Sequence, residues 1–205
     1  MAWTSQIEAW SQDPFLLMIL LTASGFSYYL VLATAAYLTF FVWGRERFVP
    51  DFEPDWSEQR SAILWGFIGI FGNVIFMMPL HMLAMSGWSK IYWDVSEHGV
   101  LWVVGSTLLL LAISETAVYW THRALHTKWL FKHIHLRHHL WRKPTPFVGV
   151  AFNPLDSFAQ ALPHHLCAFL FPIHGVVYIV AVSLLTMWAV AIHDRVSFVR
   201  WWWLN

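Results

Sequence analysis

Four apolar blocks, at residues 15–43, 62–86, 99–120 and 162–192, constrain this chain more than any other feature. Each reaches or exceeds the roughly 20 residues an α-helix needs to cross a hydrocarbon core. With 58% hydrophobic and 12% charged residues, the chain carries about half the charge of an ordinary soluble domain, so the blocks are read as membrane spans and the fold class as an all-α, multi-pass helical membrane protein. The first block has no Lys or Arg before Arg45. It lacks the positive n-region of a signal peptide and is far longer than a signal core, so it is expected to be a retained anchor. The fourth block is interrupted by Phe171-Pro172-Ile173-His174-Gly175. Pro removes a backbone donor and Gly permits a turn, so this block is expected to be a helical hairpin, either two short spans or a re-entrant pair.

Orientation follows from the cations beside the spans, because short loops rich in Lys and Arg stay on the cytoplasmic side. Arg45, Arg47 and Arg60 flank the first connection, and Arg123, Lys128, Lys132, Arg137, Arg142 and Lys143 follow the third block. Arg195 and Arg200 lie near the end, and only Lys90 falls on the opposite side. The N-terminus is therefore expected outside, and the 44–60 and 121–156 segments in the cytoplasm. The prolines and acidic residues of the 44–60 segment are expected to resist helix. Trp201, Trp202 and Trp203 beside Arg200 fit an interfacial belt. A formal net charge of zero implies no general attraction to nucleic acid. One cysteine, Cys167, rules out an intramolecular disulfide and a Cys-rich metal site.

Histidine carries the chemical signal. Six of the twelve histidines fall within the eighteen residues 122–139, five of them in two regularly spaced groups. His122 and His126 stand at i and i+4 on one helical face, about 6 Å apart, a spacing suited to a shared metal. His135, His138 and His139 again share a face. Nine residues of unbroken helix would rotate the second group by roughly 180° from the first, so the chain is expected to turn near Thr127 and Lys128 if both serve one site. A basic interfacial loop is ordinarily built of Lys and Arg, whereas imidazole is mostly neutral at pH 7 and ligates metals well. All-imidazole sites suit Zn, Cu, Fe or Ni. Five ligands exceed the need of one four-coordinate zinc, which favours two metals and iron. Glu115 lies on the same helical stripe as Tyr119, His122 and His126. An acid within an apolar block is a functional candidate by default, here as an acceptor that fixes the tautomer of a ligating imidazole.

Several stretches carry a further resemblance: GWSKIY at 87–92, YWTHRALH at 119–126, HLRHHLW at 135–141, PTPF at 144–147, FNPLDSFAQALPHHL at 152–166, FPIH at 171–174 and IHD at 192–194. Over residues 88–194 the chain resembles the sterol C-5 desaturases of the sterol desaturase/fatty acid hydroxylase superfamily. The resemblance implies a non-haem di-iron centre that uses dioxygen and two electrons. These come from NAD(P)H through a redox partner, a b-type cytochrome or similar donor. It implies formation of a C=C bond in a sterol ring, in the endoplasmic reticulum membrane of a eukaryote or the cytoplasmic membrane of a bacterium.

Carried over by position, the resemblance assigns His122, His126, His135, His138 and His139 to two histidine boxes and His193 to the opening of a third region. His165 and His174 match family positions near the hairpin and are read either as support for the site or the substrate channel, or as packing at a helix end. His81, His98, His133 and His164 are read as structural, and PTPF as a rigid turn. The family pattern has histidines where this chain has Val150 and Asn153, and it continues to a final H-x-x-H-H box outside these 205 residues. The expected division is thus an N-terminal pair of spans at 1–86 and a family domain at 87–205, truncated at its C-terminal end. Other readings are a lipid hydroxylase of the same superfamily, and a degenerate metal- or lipid-binding membrane protein without activity.

Overall fold

The structure, a computed structural model, describes residues 13–193 and Val196. Asp194, Arg195, Arg200 and the Trp201–Trp203 belt lie outside the described residues. Five long helices make the bundle: α1 (Pro14–Tyr37), α2 (Trp56–Leu83), α3 (Gly99–Leu125), α4 (Pro154–Leu170) and α5 (Gly175–Ala191). α1 runs on through a wider turn to Trp43 and α2 through another to Trp88. With α3, these give three helices long and apolar enough to cross a membrane, while α5 is apolar but shorter. Large apolar side chains such as Val31, Leu101, Val104 and Leu108 point outward, the arrangement a lipid solvent permits and water does not.

Local chemistry sets the helix ends. Asp13 accepts from the Phe15 and Leu16 amides and Asp55 from those of Ser57 and Glu58, supplying acceptors for orphan N–H groups of the first turn. The 44–60 segment is not wholly irregular: a single turn spans Arg45–Phe48, and α2 begins inside it because Asp55 caps it. Gly87, at φ +82°, closes the last turn of α2 in a conformation that costs other residues a Cβ clash.

The hairpin is present, but α4 starts eight residues before the apolar block. Asn153 caps it, accepting from the Leu155 amide, with Pro154 at the first position, where proline's fixed φ suits helix and its missing N–H costs nothing. The polar first turns of α4 are thereby helical and face inward. At the hairpin tip, β2 (Ile173–His174) pairs in parallel with β1 (Ile91–Tyr92) from the connection between α2 and α3. The Lys90 ammonium also donates to the Leu170 carbonyl at 3.0 Å. The tip therefore reaches the end of the bundle where α2 and α3 are joined. α4 and α5 each traverse it, which fits two short spans rather than a shallow re-entrant pair.

α3 is 27 residues long, about 40 Å at 1.5 Å per residue, and it separates that end from the one carrying His122. At this second end, residues 145–152 plug the space between α1, α2 and α5. Thr145, Pro146, Phe147 and Val148 are buried, in line with the rigid turn expected of PTPF, and the Tyr29 hydroxyl donates to the Phe147 carbonyl at 2.7 Å. Close packing of α4 on α2 depends on Gly72, where a Cβ would lie 2.3 Å from Pro154 Cβ. Small residues let membrane helices approach this closely.

Candidate metal centre

α3 ends at Leu125, and His126 sits in its C-cap. Thr127 is extended (ψ 149°) and a new turn begins at Lys128, so the chain reverses where the two histidine groups require it. The second group then folds back: ring centroids lie 4.7 Å apart for His122–His135, 4.8 Å for His126–His135 and 5.0 Å for His126–His139. His193, just beyond α5, closes on His138 at 4.7 Å. All six sequence-selected histidines are thus brought together, as a group of four (His122, His126, His135, His139) with an adjoining pair (His138, His193). One ligand atom from each of His122, His126 and His135 falls within 4.8 Å of the others.

The Nε2 atoms converge in pairs: His122 with His126 at 3.1 Å, His135 with His139 at 3.0 Å, and His138 with His193 at 2.9 Å. One ring of each pair is anchored from behind through Nδ1. His122 donates to Gln160 Oε1 at 3.2 Å, His135 to Asp156 Oδ2 at 2.7 Å, and His193 to the Ala189 carbonyl at 2.6 Å. A neutral ring that donates from Nδ1 has its lone pair on Nε2, so three lone pairs point into the cluster. Each pair then closes as one N–H···N bond. Moving the proton of the second ring to its own Nδ1 would turn six lone pairs inward.

This donor set fits a metal. Two imidazole nitrogens bound to one ion at about 2.1 Å lie about 3.0–3.4 Å apart, so rings spaced as these pairs are need move little to share one ion. His138 Nδ1 is buried with no partner, an arrangement that costs free energy in a site serving packing alone. Burial, followed by the neighbouring His193, His135, His139 and His122 rings, pushes the His138 pKa down to about 2. Burial and adjacent imidazoles likewise lower His126 and His139. Burial lowers His193 too, against its bond to Ala189. Neutral rings with free lone pairs are what metal binding requires.

The cluster is asymmetric. His135 and Asp156 are fully buried, while His126 and His139 are exposed. Phe152 stacks on His138 at 4.3 Å, and the Arg137 guanidinium lies 4.0 Å from the Trp65 ring of α2, pinning the second box to the helix behind it.

Three supporting assignments are corrected. Glu115 is exposed on α3; the acceptors behind the rings are Gln160 and Asp156 because α4, packed against α3, covers that side. His165 donates to its own helix at Ala161 O and lies against His81, His164 and Tyr178, outside the cluster. His174, in β2 at the far end, donates to the Trp93 carbonyl, separated from the centre by the length of α3. Asn153, where the family pattern has histidine, is the α4 cap. Asp156 and Gln160 escaped sequence reading although both lie in the FNPLDSFAQALPHHL stretch. The signal was there: an acid and an amide at i and i+4 leading into an apolar run.

Fold and centre together define a multi-pass helical membrane protein with a convergent all-histidine site at one end of its bundle. The fatty acid hydroxylase family matches residues 107–205. Rat lathosterol oxidase is 41% identical over 119 residues, 57% of this chain and 40% of its own. A Delta(7)-sterol 5(6)-desaturase of Schizosaccharomyces pombe is 32% identical over 187 residues, 91% of this chain and 56% of its own. The chain belongs to the sterol desaturase/fatty acid hydroxylase superfamily, with its similarity running to the sterol C-5 desaturases. It spans about two-fifths of the length of the lathosterol oxidases it matches. No solved structure matches it significantly.

Proposed function

We propose that this chain is the metal-binding part of a membrane-bound oxidoreductase that desaturates a sterol at C-5 with dioxygen, using iron held by His122, His126, His135, His138, His139 and His193. The observation that carries the reading is the convergence of six Nε2 atoms in pairs 2.9–3.1 Å apart. Six imidazoles exceed the four ligands of one tetrahedral zinc, which favours two ions and iron. The group of four would hold one ion, and His138 with His193 would supply two ligands to a second.

When bound, iron would supply the activation of dioxygen. The overall change removes two hydrogens from adjacent ring carbons and consumes dioxygen, two electrons and two protons, giving a C=C bond and two waters. The electrons are assigned to NAD(P)H through a b-type cytochrome or similar donor. The chain's own residues supply the rest. Asp156, Gln160 and Ala189 hold three rings in one tautomer, and Phe152 and the buried 145–152 plug keep water from the inner side. The exposed apolar side chains of α3 and α5 offer a sterol in the bilayer a surface leading to the centre. The exposed His126–His139 side lies in the Arg- and Lys-rich 121–143 segment, where a redox partner has access. By the charge rule this is the cytoplasmic face, of the endoplasmic reticulum if the source is eukaryotic.

The test is expression in cells lacking C-5 desaturation, with iron measured in the purified protein and the sterol extract analysed by mass spectrometry. Bound iron and a new ring double bond are expected. A hydroxylated sterol would move the assignment to the hydroxylase branch, and iron without any oxidised lipid would overturn the enzyme reading.

A further inference from the structure

Behind the two histidine boxes runs a polar chain confined to the first turns of α4. Asp156 is fully buried. Its Oδ2 accepts from His135 Nδ1 at 2.7 Å, and its Oδ1 accepts from Gln160 Nε2 at 2.7 Å. Gln160 Oε1 accepts from His122 Nδ1 at 3.2 Å. We propose that Asp156 and Gln160 are positioning residues forming one relay, through which a single carboxylate sets the tautomers of His122 and His135 and so couples the two boxes.

The direction of each bond in the relay follows from what the groups can donate. A carboxylate offers acceptors at both oxygens. Its two neighbours must therefore both be donors, which places the Gln160 amide nitrogen toward Asp156 and its oxygen toward His122. The oxygen in turn requires the His122 proton on Nδ1. Both rings are left with their lone pairs on Nε2, facing the centre.

A neutral amide at 156 breaks this logic, because Asn presents one acceptor and one donor. If its oxygen faces His135, its NH2 meets the Gln160 NH2. Gln160 must then turn over, and its own NH2 forces the His122 proton from Nδ1 to Nε2. If instead the Asn NH2 faces His135, the His135 proton moves to Nε2. Either way one inward lone pair is lost, and in the first case the defect reaches His122, a ring that position 156 does not touch. Buried networks of this kind lose more when half satisfied than when absent.

The relay rests on the metal reading for its purpose but not for its geometry, so two readouts separate them. In the metal-free chain, purified whole in detergent, ring 15N shifts are expected to show His122 and His135 protonated on Nδ1. Q160A should release His122 while His135 stays fixed; D156N should move the proton of one ring, His122 or His135, from Nδ1 to Nε2. With iron(II) as probe and a competing chelator, D156N should weaken binding about 10–100-fold, the usual effect of losing an outer partner, and Q160A less. The double variant D156N/Q160A should bind at least as well as D156N, because removing Gln160 removes the donor–donor conflict. Additive losses, or a His122 that keeps its Nδ1 proton in Q160A, would overturn the relay. Q160A keeps the buried carboxylate, so the tautomer readout stands even where D156N does not fold. A wild-type chain with the predicted tautomers that binds no iron(II) would overturn the metal reading alone.

Discussion

Both ends of this bundle carry histidines among aromatic rings, yet only one end is arranged for chemistry. At the far end, His98 packs on the Tyr92 ring at 4.6 Å, and His174 donates its Nε2 proton to the Trp93 carbonyl. Each imidazole there is engaged by the hairpin tip and the connection between α2 and α3. At the other end three rings are fixed through Nδ1, and six Nε2 atoms face one another. What separates a ligand from a packed imidazole is which nitrogen the protein occupies from behind, since the nitrogen left over is the one a metal can use.

The strongest way to break this contrast is to remove a ligand that is anchored and buried. His135→Ala is expected to lower iron(II) affinity by at least about 100-fold, beyond the range of outer-partner losses, and to abolish oxidised sterol; elemental analysis and lipid extracts check both. A chain that keeps its iron after this change would place the centre elsewhere.

Next comes the support. Gly72→Leu forces side-chain atoms into Pro154 and should destabilise the bundle by about 1–3 kcal/mol, read as a lower melting temperature in detergent. Because α4 carries Asp156 and Gln160, iron affinity should fall with it, although Gly72 touches no histidine.

Acid sharpens the comparison further. A group whose folded pKa is depressed binds fewer protons folded than unfolded. Its contribution is therefore complete above the ordinary imidazole pKa near 6.5 and is lost as pH falls toward the folded value. For His138, held near 2, the metal-free chain should lose up to about 1.4 kcal/mol per pH unit below 6.5. Denaturation followed against pH tests this, and His138→Gln should flatten the slope.

The smallest effect belongs to the far end. His174→Ala removes one hydrogen bond, about 1 kcal/mol, and should leave iron affinity unchanged. A loss of iron there would erase the distinction between the two ends.

Most of the fold was legible because its determinant is local. Apolar runs of spanning length, Pro172 and Gly175 at the hairpin tip, and the break at Thr127 all act through backbone and solvent within a few residues. The i, i+4 spacings of His122 with His126 and of His135 with His139 were legible for the same reason. His193 came from family resemblance and from the hairpin topology that returns it to the same face, since it lies 54 positions beyond His139 and no periodicity links them. The supporting shell was misjudged where local reasoning was stretched. Glu115 shares a helical stripe with His122, but a stripe does not say which neighbour covers it.

The sequence by itself thus determined that this chain lives in lipid as helices and that two histidine groups can each face one way. Only the tertiary structure decided that the groups face each other, that His193 completes a third pair, and that Asp156 rather than Glu115 stands behind them. The reason is physical: helix formation and periodicity are set by near neighbours along the chain. The nitrogen that His122 and His135 have free depends instead on an acceptor brought to the back of each ring by another helix, and that is settled by how α4 packs between α2 and α3.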